Sequence, residues 1–205
     1  LNNRKQAKEI KAMTIATEQA KSKAKIWTDE EFMALPDRGD RYEIIDGELV
    51  TLGNSGMEHG NIGIFLGGLI EIFVRQHRLG VTCDSSTAFK MKGGNKRSPD
   101  ISFVSKERLT GLKRLPQGFF DGAPDLVVEI ISPGNTFEEI HTKVEEYFAS
   151  GTRLLWIIHP DEKFVLVYHS PQPDLLLRGD DILDGEDVIP NFKVALSDLF
   201  RTLDF

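Results

Sequence analysis

The chain has 205 residues, 40% of them hydrophobic and 28% charged, and carries a formal net charge of −7. That is an ordinary make-up for one globular domain with room for a proper core. The acidic sum argues against a generic nucleic-acid binder, and the lone Cys83 against a disulfide framework or a cysteine zinc site. No apolar run approaches a membrane span and no signal-peptide pattern opens the chain, so a cytoplasmic protein without membrane contact is expected.

Residues 1–25 are polar and Lys-rich with no apolar period, and read as an extension ahead of a single domain at 26–205. Met13 would serve as a natural start. Thr28-Asp29-Glu30-Glu31 has the capping-box spacing that opens a short helix before Pro36. Strands at 42–45 and 48–52 flank Asp46-Gly47, a two-residue hairpin signal. Of the two acids in this hairpin, Glu43 is expected to face water, while Glu48 is open to either water or a site. A helix over 58–78, ended by Gly80, carries Ile62, Phe65, Leu66, Leu69, Ile70 and Phe73 as its apolar face, with Gly67-Gly68 allowing close packing. His59 sits in its first turn, where a capping or surface role is the plainer reading.

Residues 81–86 and 87–91 read as strands that turn at Lys92-Gly93-Gly94-Asn95 into a third strand at 97–104, an antiparallel meander. Asp100 stands where that third strand enters the core, ahead of apolar Ile101, Phe103 and Val104. Lys90, Lys92, Lys96, Arg97, Lys106, Arg108, Lys113 and Arg114 meet only Asp100 and Glu107 here, a local excess of six positive charges. They either flank Asp100 where a phosphate backbone would run or form solvated loops. The segment 106–121 is long for a loop. Its Phe119 and Phe120 either stack on bases or, as is commoner, pack the loop down.

The stretch 125–131 is a continuous apolar strand bounded by Pro124 and by Pro133-Gly134, with Glu129 the one acid among Leu126, Val127, Val128, Ile130 and Ile131. Burying that carboxylate alone would cost several kcal/mol or keep it protonated, so a cation belongs beside it, either a metal ion or a lysine. A capping box at Thr136 and Glu139 opens a helix over 136–150, and Gly151 closes it. Phe137, Ile140, Val144, Tyr147 and Phe148 form its core stripe. At about 100° per residue Lys143 falls on the flank of that stripe, where its ammonium reaches the end of the neighbouring strand. An exposed Glu139–Lys143 pair is the plainer alternative. Two carboxylates from adjacent strands, Asp100 and Glu129, with a flanking ammonium suit metal-assisted hydrolysis, and their hard oxygens suit Mg²⁺ or Mn²⁺.

A strand at 154–158 makes the helix 136–150 the crossover of a right-handed βαβ unit. A strand at 163–169 pairs behind it across Pro160-Asp161, the acidic stretch 174–187 reads as a solvated hairpin, and a short helix at 197–200 closes the fold. Walker, G-x-S-x-G and H-E-x-x-H motifs are absent, and the five histidines are scattered. A two-carboxylate glycosidase would require neither the lysine nor the basic flank.

Arg41-Tyr42-Glu43-Ile44-Ile45-Asp46-Gly47-Glu48-Leu49, Glu58-His59-Gly60, Ser98-Pro99-Asp100, the stretches 123–133 and 143–147, and Leu155-Trp156-Ile157-Ile158-His159-Pro160 follow one another in a recognisable order. In these the chain resembles the Uma-two family of restriction-endonuclease domains over residues 27–205 and, through Pro99-Asp100 and Glu129, the wider PD-(D/E)xK nuclease superfamily. The resemblance implies an α/β fold of restriction-endonuclease type: a mixed central sheet flanked by helices, with an N-terminal antiparallel meander before the βαβ unit. It also implies a Mg²⁺- or Mn²⁺-dependent endonuclease, with nucleic acid, in the first place DNA, as partner.

One departure stands out, because Ile131 occupies the place where the superfamily's lysine normally follows the acid. The resemblance therefore implies that the lysine role has moved to Lys143. It further implies the Ile130 carbonyl as a metal ligand beside Asp100 and Glu129, gives His59 a place near the metal, and allows a homodimer. Tyr147, one turn beyond Lys143, either buttresses it or belongs to the core. The alternative function is a nuclease-like fold without turnover, a binding module for nucleic acid or protein.

Overall fold

Four helices and three sheets organise the residues that the computed structural model describes, 27–36 and 41–201. The extension at 1–25 lies outside the described residues. Thr28 caps α1 (Asp29–Met33) in a reciprocal box with Glu31, as its spacing requires. Strands β1 (Arg41–Ile45) and β2 (Glu48–Leu52) close on Asp46 and Gly47, whose φ angles of 52° and 82° are those of the tight hairpin turn.

Helix α2 (Met57–His77) buries Ile62, Leu66, Ile70 and Val74, one row at helical spacing. It is long and apolar enough, by length and composition, to cross a membrane, which corrects the expectation that no stretch reached that length. Gly60, Gly63, Gly67 and Gly68 break up the apolar run without adding charge. Its buried row packs into the core described below. The helix ends on Arg78 in the left-handed region (φ 54°) rather than on Gly80. Gly80 instead opens β3 (Gly80–Asp84), and a Cβ there would stand 2.1 Å from the Val104 carbonyl oxygen. Close packing does not require Gly68, where a Cβ would meet nothing.

The antiparallel half precedes the βαβ unit as expected, but it is shared between two sheets. Strand β3 pairs with β6 (Ile101–Ser105), whereas β4 (Phe89–Lys90) and β5 (Lys96–Arg97) join β1, β2 and β7 (Phe120–Asp121). The central sheet continues from β6 to β8 (Leu126–Ile130), antiparallel, and then to β9 (Leu154–His159), parallel. Helix α3 (Phe137–Ala149) is the crossover between β8 and β9, capped by Thr136 and Glu139. Strands β10 (Phe164–Tyr168) and β11 (Pro173–Arg178) add antiparallel on one side, giving the order β11-β10-β9-β8-β6-β3.

Alternation along β8 divides the core. Val128 and Ile130 face α2 with Trp156, Ile158 and Val165, while Val127 faces α3 with Val144, Tyr147, Leu155 and Ile157. Glu129 shares the α3 side by the same period. Phe137 is 84% exposed and stacks on His141, so it leaves the expected core stripe. It stands at the first position of α3, ahead of the turn that meets the sheet. The acidic stretch 174–187 is not one hairpin either. Its first part is the edge strand β11, and its second is β12 (Ile182–Asp184), which pairs with β13 (Lys193–Ala195). Helix α4 (Leu196–Leu199) seals the α2 side with Leu196 and Leu199.

Candidate active site

Glu129 is buried, and it is partnered. Tyr147 donates its hydroxyl to Glu129 Oε1 at 2.7 Å, and Lys143 Nζ lies 3.3 and 3.4 Å from the two carboxylate oxygens. The spacing explains both contacts, since residues four apart on α3 share a face and that face looks onto β8. Asp100 comes in from the next strand, one step beyond the Ile101–Val128 pair. Its Oδ2 accepts the Ile130 N–H at 2.8 Å and lies 3.1 Å from His59 Nε2, while Arg41 Nη1 is 3.7 Å from Oδ1. Asp100, Glu129, Lys143, Tyr147 and His59 therefore meet at one place.

Glu43 corrects one expectation. It is 1% exposed, accepts Arg97 Nη1 at 2.8 Å and the Ser98 N–H at 3.1 Å, and stands 3.3 Å from Lys143 Nζ. Glu48 lies on the same face of the hairpin but at its turn end, and is exposed. The period-two pattern could not separate them, because what buries Glu43 is its pairing with distant β5 and α3. Arg97, also unforeseen here, is 3% exposed and carries a second partner, Glu146 Oε2, at 2.6 Å. Asn95 extends this ladder from Glu146 Oε1 (2.7 Å) to the Asp46 N–H (2.8 Å). The motif running from Arg41 to Leu49 was the one signal that pointed to Glu43.

Burial, reinforced by Asp100 and Glu43, pushes Glu129 up to about 6 against the pull of Lys143 and Tyr147. Burial pulls the Lys143 ammonium down, but Glu129 and Glu43 together hold it above the usual lysine range. The lysine is thus charged, and it is shared between two acids. His59 is held above the ordinary histidine value chiefly by Asp100. The Tyr147 hydroxyl is raised well above its usual value by burial and by Glu129, so it stays a donor.

Glu43, His59, Asp100, Glu129 and Lys143 line a cleft of about 630 Å³, with Arg41 and Arg97 as its further cations, while Tyr147 lies buried behind Glu129. Most of the positive cluster at 90–114 is elsewhere. Lys90 and Lys96 pair with Asp29 (2.9 and 2.8 Å), Arg97 is buried as described, and Arg108 lies 3.6 Å from Asp125. Lys92, Lys106, Lys113 and Arg114 remain exposed. The expected basic flank of Asp100 is therefore split: β5 turns Lys96 and Arg97 inward, while the other six cations are exposed or part-exposed. Phe119 packs on Phe32 under Lys96, and Phe120 on Phe89, holding the long loop down.

The family model that describes Uma2, a putative restriction endonuclease, matches residues 29–197. The chain belongs to the Uma2 family. A crystal structure of a putative nuclease belonging to DUF820 from Anabaena variabilis ATCC 29413 superposes with a TM-score of 0.72 at 24% identity, covering 85% of this chain and 97% of that one. At that identity the likeness is one of fold, and it agrees with the mixed sheet flanked by helices. No curated protein matches the chain. In this Uma2 chain Asp100, just ahead of β6, the strand that carries Glu129 and the helix that carries Lys143 all fall inside the matched span.

Among the described residues no group of three or more His, Cys, Asp and Glu side chains forms a ready-made metal-ligand set. The donors on offer are two carboxylates and a backbone carbonyl. Two facts fit a hard cation here. Burial first and the Asp100 charge second raise Glu129, so a cation between the two carboxylates would relieve both, and among the described residues Asp100 Oδ1 has only an arginine 3.7 Å away beside it. All-oxygen donors of this kind suit Mg²⁺ or Mn²⁺ rather than softer ions.

Proposed function

We propose that this Uma2 chain is a divalent-metal-dependent endonuclease that hydrolyses phosphodiester bonds in DNA, carried by one domain at 26–205. The observation that supports it best is the sharing of Lys143 between two buried acids, 3.3 Å from each, at the wall of an open cleft. A purely structural lysine would need one partner and no cleft.

In this reading Asp100, Glu129 and the Ile130 carbonyl hold the metal. A bound Mg²⁺ or Mn²⁺ would supply a more acidic water and a counter-charge for the phosphate. The chain's own groups do the rest. Lys143 presents a fixed positive charge to the developing negative charge on the phosphate. Tyr147 orients Glu129, Glu43 orients Lys143, and Arg97 holds Glu43 in place. His59 holds Asp100 from the α2 side. Arg41, part-exposed at the cleft, offers a contact for the DNA backbone. The reading includes a cytoplasmic protein and a homodimer, the assembly in which nucleases of this fold often work.

The test is nicking of supercoiled and single-stranded DNA with Mn²⁺ by the wild type, Asp100→Ala and Lys143→Ala, alongside calorimetry of Mg²⁺ and Mn²⁺ binding in the wild type and Glu129→Gln. Metal binding lost in Glu129→Gln and cleavage lost in the other two supports the reading. A wild type that ignores both ions favours the binding module without turnover, and cleavage unchanged in both variants assigns the activity to another site.

A further inference from the structure

The central sheet has an outer edge that is only partly blunted: Pro173 and a register shift opposite Val167 and Tyr168 protect its start and leave Leu175, Leu176 and Leu177 open. Strand β11 ends the order, and no described strand pairs with its far side. Leu175 and Leu176 on it are 49% and 47% exposed. The open apolar part of such an edge is a template for pairing unless something covers it.

Its sequence, Pro173-Asp174-Leu175-Leu176-Leu177-Arg178-Gly179, reads as its own complement. Laid antiparallel against a second copy about Leu176, Asp174 faces Arg178 of that copy, Leu175 faces Leu177, and Leu176 faces itself. Asp174, Leu176 and Arg178 share one side of the strand by its period of two, so both ion pairs and the central leucine contact fall on that side. The ends agree as well. Pro173 cannot donate a backbone hydrogen bond at one end, and at the other Arg178 gives its N–H to Asp181 Oδ2 (2.8 Å) and accepts the Asp181 N–H (3.2 Å), so backbone pairing centres on Leu176 and the Asp174–Arg178 contacts are left to the side chains. Alternative registers do worse. Parallel pairing in register sets Asp174 against Asp174, a one-residue slip turns the leucines to the wrong side, and a two-residue slip loses both ion pairs.

The charges are available. Among the described residues Asp174 uses only Oδ2, accepting from the His169 backbone N–H (3.0 Å) and contacting its ring Nδ1 (2.7 Å). Arg178 has no ion pair among the described residues.

We propose that β11 is the dimer surface: two copies join edge to edge, antiparallel, about a two-fold axis through Leu176, making one continuous sheet of twelve strands. This rests on the nuclease reading only in giving its homodimer a surface. Five paired residues bury less than the ~1,000 Å² of a durable interface, so the dimer is weak and concentration-dependent. The two Glu129 strands then stand roughly 34 Å apart, seven strand spacings, and each cleft is complete within its own copy.

Cross-linking tests the register in a Cys83→Ser background. Leu176→Cys brings two thiols within disulfide reach, since opposed Cα atoms in antiparallel strands lie about 4.5–5.5 Å apart. Leu175→Cys, equally exposed, leaves its two copies about 8 Å apart and out of reach. The expected result is a disulfide dimer with Leu176→Cys and none with Leu175→Cys, together with a dimer about tenfold weaker in Arg178→Asp by sedimentation equilibrium. Cross-linking equal at the two positions, cross-linking at neither, or an unaffected Arg178→Asp dimer overturns the proposal. DNA nicking per chain is unchanged in Arg178→Asp, which lies outside the cleft. Loss of all nicking in the wild type with the cross-link intact would therefore count against the nuclease reading and leave the surface standing.

Discussion

Lys143 Nζ stands 3.3 Å from Glu43 Oε1, so a helix of the βαβ unit is tied to the first hairpin of the domain through the same ammonium that contacts Glu129. Lys143→Met removes that shared charge and leaves two buried acids facing each other. The expected loss of stability is about 3 kcal/mol in urea unfolding. DNA cleavage is expected to fall by about 10²–10³-fold at saturating Mn²⁺. Cleavage at the wild-type rate would remove Lys143 from the chemistry.

Glu129 sets an acid limit. Its pKa, raised from the ordinary 4.5 to about 6, means that the carboxylate needed for metal forms only as pH rises through about 6. Cleavage and Mn²⁺ affinity should both climb between pH 5 and pH 7 on the order of tenfold per unit at the acid end. The stability effect has the opposite sign. The folded state holds this proton more tightly than the unfolded one, so the contribution is complete below about pH 4.5 and is lost as pH passes 6. Relative to wild type, Glu129→Gln should gain stability across that window, as read from Tm against pH. A flat difference would contradict the raised value.

Two neighbours should move that limit in opposite directions. The Tyr147 hydroxyl bond lowers the Glu129 pKa and the Glu43 charge raises it. Tyr147→Phe therefore shifts the acid limb of the cleavage profile to higher pH, with an accompanying stability loss of about 1–3 kcal/mol from the lost buried bond. Glu43→Gln shifts the limb to lower pH. Profiles that move together would mean that the substitutions act only through folding.

Arg97 is the most heavily engaged cation, bonded to Glu43 and Glu146 and almost fully buried. Arg97→Met should destabilise the fold by about 3–5 kcal/mol, because two acids lose a buried partner at once. Restoring stability by adding Glu43→Leu or Glu146→Leu to that variant would show the cost to be unpaired charge rather than lost volume. Failure of both double variants would assign the cost to packing.

On the far side of the molecule, His169 lies between Asp174 and Glu186, 2.7 and 2.6 Å from its two ring nitrogens. Burial pulls its pKa down, but the two carboxylates outweigh that and hold it above the ordinary 6.5. The contribution is therefore complete below about pH 6.5 and is lost as pH rises through the higher folded value. His169→Gln should cost more stability at pH 6 than at pH 9 in denaturant titrations. It is a partly exposed pair, so the difference is small, and equal costs at both pH values would show that the imidazole is neutral in the fold.

Much of the architecture was legible because the signals are local. The capping boxes at Thr28 and Thr136, the Asp46-Gly47 turn and the lone acid in 126–131 act over a few residues, where chemistry leaves few options. The flank position of Lys143 followed from helical period alone, and the lysine does reach Glu129. The misplaced features were non-local. Phe137 fits the stripe by spacing, yet lies one turn before the sheet begins to cover α3. Lys96 and Arg97 looked like part of a surface cluster, yet β5 turns them toward Asp29, Glu43 and Glu146.

By itself the sequence determined the order of elements, the strand-helix-strand unit and the candidacy of Asp100, Glu129 and Lys143, since periodicity, capping and turn chemistry are read within a short window. Tertiary structure alone decided which acid of the first hairpin joins Lys143, which cations face inward, and that Tyr147 bonds Glu129. Those choices depend on which distant strands pair and which faces they bury, and a charge moves from water to the interior only where another element brings it a partner.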